Sequence, residues 1–151
     1  MLPGDSITIP GSDPATVTLP EGGAGAPIII TQGEGTFCDG PCTGPATTIS
    51  DFPGYDDPNH PIHLTLTYNF PAGPTSLLDF ATAFNSNIYK NDDPLHPSVG
   101  TPVPFCPTPG AGIATPHPCV DARTVQEPSF GTFILTFEIV YLSGDPTFAR
   151  R

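Results

Sequence analysis

"GTFILTFEIVYLSGD", residues 131–145, is the strongest strand signal in the chain, and its parity sets the fold class. Phe133, Leu135, Phe137, Ile139 and Tyr141 fall on one face, while Ile134, Thr136, Glu138, Val140 and Leu142 fall on the other. Side chains of an extended backbone alternate between faces, so the first set is a core face. The second is more apolar than a solvated face, which calls for a cover. A proline-rich loop is the foremost candidate; a second sheet layer or another molecule are the alternatives.

The same period of two recurs in "NHPIHLTLTYNF", 59–70, where Ile62, Leu64, Leu66, Tyr68 and Phe70 oppose His63, Thr65, Thr67 and Asn69. His60 and His63 have opposite parity across Pro61. Regular strand geometry cannot bring them onto one metal, so His63 reads as a solvent-face residue and His60 as part of the preceding loop. Proline marks out the rest of the chain, because it is excluded from helix interiors and central strands. "SITI" (6–9) and "ATVTL" (15–19) read as edge strands, "IIIT" (28–31) and "TTISDF" (47–52) as further strands. In 75–93, Leu77, Phe80, Ala81 and Phe84 sit at helical spacing behind a Ser76/Asp79 capping box, predicting a short helix near 77–84. A strand through "SNIYKN" follows. Many short strands with at most one short helix predict an all-β, loop-rich sandwich or barrel. The expected organisation is a Pro/Gly-rich N-terminal segment, 1–27, carrying edge strands or strands exchanged with a neighbouring copy. A β-sandwich domain then covers 28–151.

Four cysteines, Cys38, Cys42, Cys106 and Cys119, allow three pairings. The two local pairs are the preferred ones: "DGP" can turn Cys38 onto Cys42, and Cys106 and Cys119 would close "CPTPGAGIATPHPC". An even count in this composition indicates an oxidising, extracellular or cell-surface setting. The competing use, a zinc site with His117, fits common zinc spacings poorly.

The chain has 15 Asp and Glu against 4 Lys and Arg, a net charge of −11. Such a surface repels nucleic-acid phosphates and anionic lipid and suits cations or a basic partner. No apolar run is long enough to span a bilayer as a helix. "LPGDSITIPGSDP" after Met1 lacks the basic and apolar regions of a signal peptide, so none is expected at that end.

No nucleophile elbow, phosphate-binding loop, dinucleotide fingerprint or zinc-protease motif occurs, and no catalytic residue or cofactor is assigned. Two acidic loops are weak calcium candidates: "GYDDPNHP", with Asp56, Asp57 and Asn59, and "KNDDP", with Asp92 and Asp93. Calcium takes six to eight oxygens, and neither loop supplies enough alone. Turn chemistry by itself selects the same residues.

The stretches "PIHLTLTYNFPAG", "IYK", "VPFC", "IATPHPCVDART" and "GTFILTFEIVYLSGDP" together resemble immunoglobulin-like β-sandwich modules of secreted and cell-surface bacterial proteins. The resemblance covers residues 38 to 146. It implies a disulfide-stapled two-sheet sandwich that acts as a spacer, adhesive or assembly unit, and it transfers no catalytic residue. The first expectation is therefore a non-enzymatic extracellular structural or assembly module with protein partners, self-association through the N-terminal segment among them. The second is a carbohydrate- or calcium-dependent ligand-binding module with Tyr55, Tyr68 or Tyr89 as stacking platforms. The third is a hydrolase with a site built from His60, His117 and loop aspartates.

Overall fold

A computed structural model describes residues 4–11, 13–21, 28–38, 42–50, 57–70, 87–91, 100–129, 132–142 and 147–150. Ten strands follow in chain order: β1 Ser6–Ile9, β2 Ala15–Thr18, β3 Ile29–Gly33, β4 Thr43–Ser50, β5 Ile62–Phe70, β6 Ile88–Asn91, β7 Thr101–Pro102, β8 Cys119–Ser129, β9 Thr132–Tyr141 and β10 Thr147–Arg150. They form two five-stranded sheets, in the orders β1-β2-β5-β9-β8 and β3-β4-β10-β6-β7. Among the described residues these strands pair antiparallel, and Phe105 adds one isolated parallel bridge to Val120 of β8. The fold is an all-β sandwich, and among the described residues there is no helix. The helix expected at 77–84 falls outside them.

The two strongest sequence signals are neighbours at the centre of the first sheet. β5 and β9 pair over their full length, from Ile62 opposite Tyr141 to Phe70 opposite Phe133, which places both dry faces on the same side. Leu64, Leu66, Tyr68, Leu135, Phe137 and Ile139 are buried there, joined by Ala15 and Val17 of β2. Ile49, Ile88 and Phe148 come from the other sheet into the same cluster. Each large aliphatic or aromatic side chain buried this way contributes about 1.5–3 kcal/mol. Tyr141 meets Phe148 edge to face at 5.7 Å, tying β9 to β10 across the sandwich. Arg150 lies over the Tyr68 ring at 5.0 Å, a second link between the sheets. Gln32 of β3 makes a third, donating to the Asp13 carbonyl at 3.2 Å.

The described part of residues 1–27 contains β1 and β2, both in the first sheet. β2 sits between β1 and β5, with Ala15 and Val17 fully buried.

Both outer faces carry a disulfide-closed loop. Cys38 pairs with Cys42 and Cys106 with Cys119, the two local pairs expected. All four thiols are consumed, which removes them as zinc ligands. Phe37 and Cys38 pack on Ala46, Tyr89 and Ala149, covering the outer face of the second sheet. Cys106, Ala114 and Cys119 pack on Val140 and Leu142, so the C-terminal end of the apolar second face that begins in β9 is covered by its own chain's proline-rich loop, while Ile134 and Thr136 stay half-buried and Glu138 exposed.

Proline misleads at two points. β4 runs back through Pro45 to Thr43, where the ladder to β10 shifts register between Phe148 and Arg150. β8 contains Pro128, at an outer edge and beside a register shift between Gln126 and Ser129. Edge strands and bulges are the sheet positions where a missing N–H is tolerated.

Candidate functional site

A polar depression of about 510 Å³ opens on the outer face of the first sheet. Its floor is Thr18 of β2, His63 and Thr65 of β5 and Glu138 of β9; Asn59, Asp121 and Gly110–Gly112 form its walls. The ladder brings these residues together. His63 is opposite Thr18 on one side, and Thr65 is opposite Glu138 on the other. All belong to the hydrophilic parity of their strands, as read for His63 from sequence.

The wall is held by hydrogen bonds from glycine amides. Gly112 N donates to both carboxylate oxygens of Asp121, at 3.1 and 3.2 Å, and Gly110 N donates to the Asp121 carbonyl at 2.9 Å. Asp121 is only 5% exposed, so the Gly112 amide stands in for solvent at its buried side-chain oxygens. Gly112 has φ of 68°, a left-handed conformation that favours glycine, and a Cβ there would stand 3.4 Å from His63 Cε1. Ala114 N donates to the Pro58 carbonyl at 2.8 Å and ties this loop to the one preceding β5.

The residues singled out from sequence are distributed differently. Asp57 accepts from Asn59 N at 2.9 Å and hydrogen-bonds His60 Nδ1 at 2.7 Å, so both of its oxygens serve the turn. The His60 contact, followed by the Asn59 amide, holds its carboxyl below the ordinary value of 3.8. Asp56, Asp92 and Asp93 lie outside the described residues, as does Tyr55. Tyr68 and Tyr89 are buried and are not available as stacking platforms, which corrects that part of the ligand-binding expectation. Burial pushes the Tyr68 phenol well above its ordinary value. His60 and His117 are exposed on separate loops, and neither is among the residues lining the depression.

The residues that do line it were missed as a group. They come from positions 18, 59, 63, 65, 110–112, 121 and 138, and no local spacing announces them. Among the described residues, no three His, Cys, Asp or Glu side chains are placed to hold a metal ion together. Chemically, the depression offers hydroxyls, an amide, an imidazole and the Glu138 carboxyl group to a polar solute, while Asp121 is engaged with its own wall.

Compared with protein-family models, curated proteins and solved structures, the chain matches none. Among the described residues, no helix is long and apolar enough to cross a membrane.

Proposed function

We propose that this chain is a non-enzymatic structural or assembly module of an extracellular or cell-surface protein, an immunoglobulin-like sandwich used for its rigidity and its edges. One observation carries the reading: a disulfide fixes the chain that covers an apolar patch on the outer face of each sheet. Such bonds persist in oxidising compartments and reinforce small domains by restricting the unfolded chain. Because Val140 and Leu142 are covered from within, the assembly role does not rest on an apolar face of β9. It rests on the sheet edges.

Antibody labelling of intact and permeabilised source cells tests the reading. Labelling of intact cells, or of material shed from them, is the expected result. Signal confined to permeabilised cells would overturn it. A second reading, binding of a polyol or saccharide, is supported by the hydroxyl- and carboxylate-lined depression. A glycan array probed with and without calcium tests it, and an array without hits removes it.

A further inference from the structure

The four sheet edges differ in how they are protected. β8 carries Arg123, Glu127 and Pro128 and two register shifts. Its start is also covered by the chain itself: Val120 N donates to the Pro104 carbonyl at 2.8 Å and Cys106 N to the Val120 carbonyl at 2.9 Å. β7 is two residues long, one of them Pro102. In β3, Ile30 already packs on the core, and the exposed Ile29, opposite Ser50, points to the other face. Charge, proline, bulges and short length are the usual means of blocking an edge. β1, "SITI", and β3, "IITQG", contain no charge and no proline, and among the described residues nothing pairs with the outer side of either; of the two, β1 is the one whose exposed isoleucine, Ile7, faces the core side.

The hydrogen-bond phase of β1 follows from one bond. Leu19 N donates to the Asp5 carbonyl at 3.0 Å, in the register that sets Ser6 opposite Thr18 and Ile7 opposite Val17. Bonded and non-bonded pairs alternate along an antiparallel ladder, so Ile7 and Ile9 bond to β2. The N–H and C=O groups of Ser6 and Thr8 therefore point to the free edge. The side chains sort the other way. Ser6 and Thr8 hydroxyls pair with Thr18 and Thr16 at 2.7 and 2.8 Å on the outer face. Ile7 shares the core-side face of the fully buried Val17, yet remains 40% exposed because no strand lies beyond it.

We infer that the free edge of β1 accepts an added antiparallel strand from a partner protein, with an apolar residue opposite Ile7 and lysine or arginine flanking it. This rests on the assembly reading and specifies its surface. Strand addition takes its affinity from main-chain hydrogen bonds and its selectivity from alternate side chains. The charge follows from the residues beside the edge: Asp5 and Asp13 bracket β1 in the chain, Glu21 lies against Gly4 just before it, and residues 1–89 contain no Lys or Arg. That excess attracts a basic segment and opposes a second copy of this chain.

The test titrates the full disulfide-bonded chain, labelled with ¹⁵N, with a synthetic seven-residue peptide of alternating valine and threonine with a lysine at each end. A matched peptide with glutamate ends is the comparison. Saturable shifts should be largest at the Ser6 and Thr8 amides, with the glutamate peptide weaker by about tenfold at low salt. Thr8→Pro removes one outward N–H while sparing the bonds to β2, and Ile7→Lys removes the apolar contact. Each should weaken binding by about tenfold or more. If Thr8→Pro fails to fold in a thermal melt, Ile7→Lys decides alone. Three results overturn the inference: no saturable shift up to about 1 mM peptide, shifts centred on β3, β7 or β8, or unaltered binding by a folded variant. Self-association through the same amides would reassign the edge to a second copy and overturn the basic partner. Failure here leaves the cell-labelling result untouched, and the reverse also holds.

Discussion

Replacing both Cys106 and Cys119 by alanine separates what the covalent bond does from what the loop's packing does. The bond closes a loop across a sequence separation of 13. In the chain-entropy model, that restricts the unfolded chain by about 10 cal/mol/K, or about 3 kcal/mol at room temperature. Both cysteines are buried, and removing the sulfurs adds up to about 1 kcal/mol of lost packing. The loop is also held to the body of the sandwich by other means. Cys106 N, Gly110 N and Ala114 N donate to the carbonyls of Val120, Asp121 and Pro58, and Gly112 N donates to the Asp121 carboxylate. At about 1 kcal/mol net for each neutral bond and more for the charged one, these keep the loop docked without the disulfide. Urea denaturation of the double variant should therefore show a loss of about 3–4 kcal/mol. Val140→Ala, beneath the loop, should cost about 2 kcal/mol with the disulfide intact. Because Cys119 is the register partner of Val140, the two changes share one packing site and should couple by about 0.5–1 kcal/mol, short of the whole Val140→Ala cost. A double-variant loss below about 1 kcal/mol would refute the staple. A Val140→Ala cost that vanishes without the disulfide would show that sulfur, not hydrogen bonding, seats the loop.

Three further outcomes follow from local geometry. A Cβ at Gly100 would collide with the Phe37 carbonyl oxygen, so Gly100→Ala should lose about 1–3 kcal/mol in a thermal melt, and an unchanged melting temperature would contradict the close approach. Gly112→Ala must adopt φ of 68°, costing about 1–2 kcal/mol, and its methyl would come into van der Waals contact with His63 and shift the ring resonances; unmoved resonances would argue against that contact. Asp57 is held below 3.8 in the folded turn, so its contribution is complete above that value and is lost as pH falls through the folded pKa. The Asn59 amide shift should accordingly titrate with a midpoint below 3.8, and a midpoint at or above it would break the Asp57 assignment.

What was legible in the sequence is what a period of two can carry. β5 and β9 alternate cleanly for nine residues or more, and that alternation placed Tyr68, Phe137 and Ile139 in the core. The loop covering Val140 was foreseeable too, because those residues demanded a cover and proline-rich chain was at hand. β10 was missed. Four residues, "TFAR", are too few to show a period of two, yet Arg150 is buried over the Tyr68 ring and its strand is central in the second sheet. Proline used as a boundary failed at Pro45 and Pro128, where a bulge or an outer edge spares the missing donor. The polar depression had no local signature, since the ladder register alone juxtaposes Thr18, His63, Thr65 and Glu138. Asp121 offered one hint, a carboxylate just inside the strand that opens "CVDAR".

The claim on which the rest depends is that two local disulfides fix the loops packed on a two-layer sandwich. Thiol titration and non-reducing peptide mapping of protein taken from its natural source, without exposure to air or reductant, test it most directly. The account predicts no titratable thiol and two linkages, Cys38 to Cys42 and Cys106 to Cys119. Free thiols, a crossed pairing or a metal ion retained by those sulfurs would contradict it.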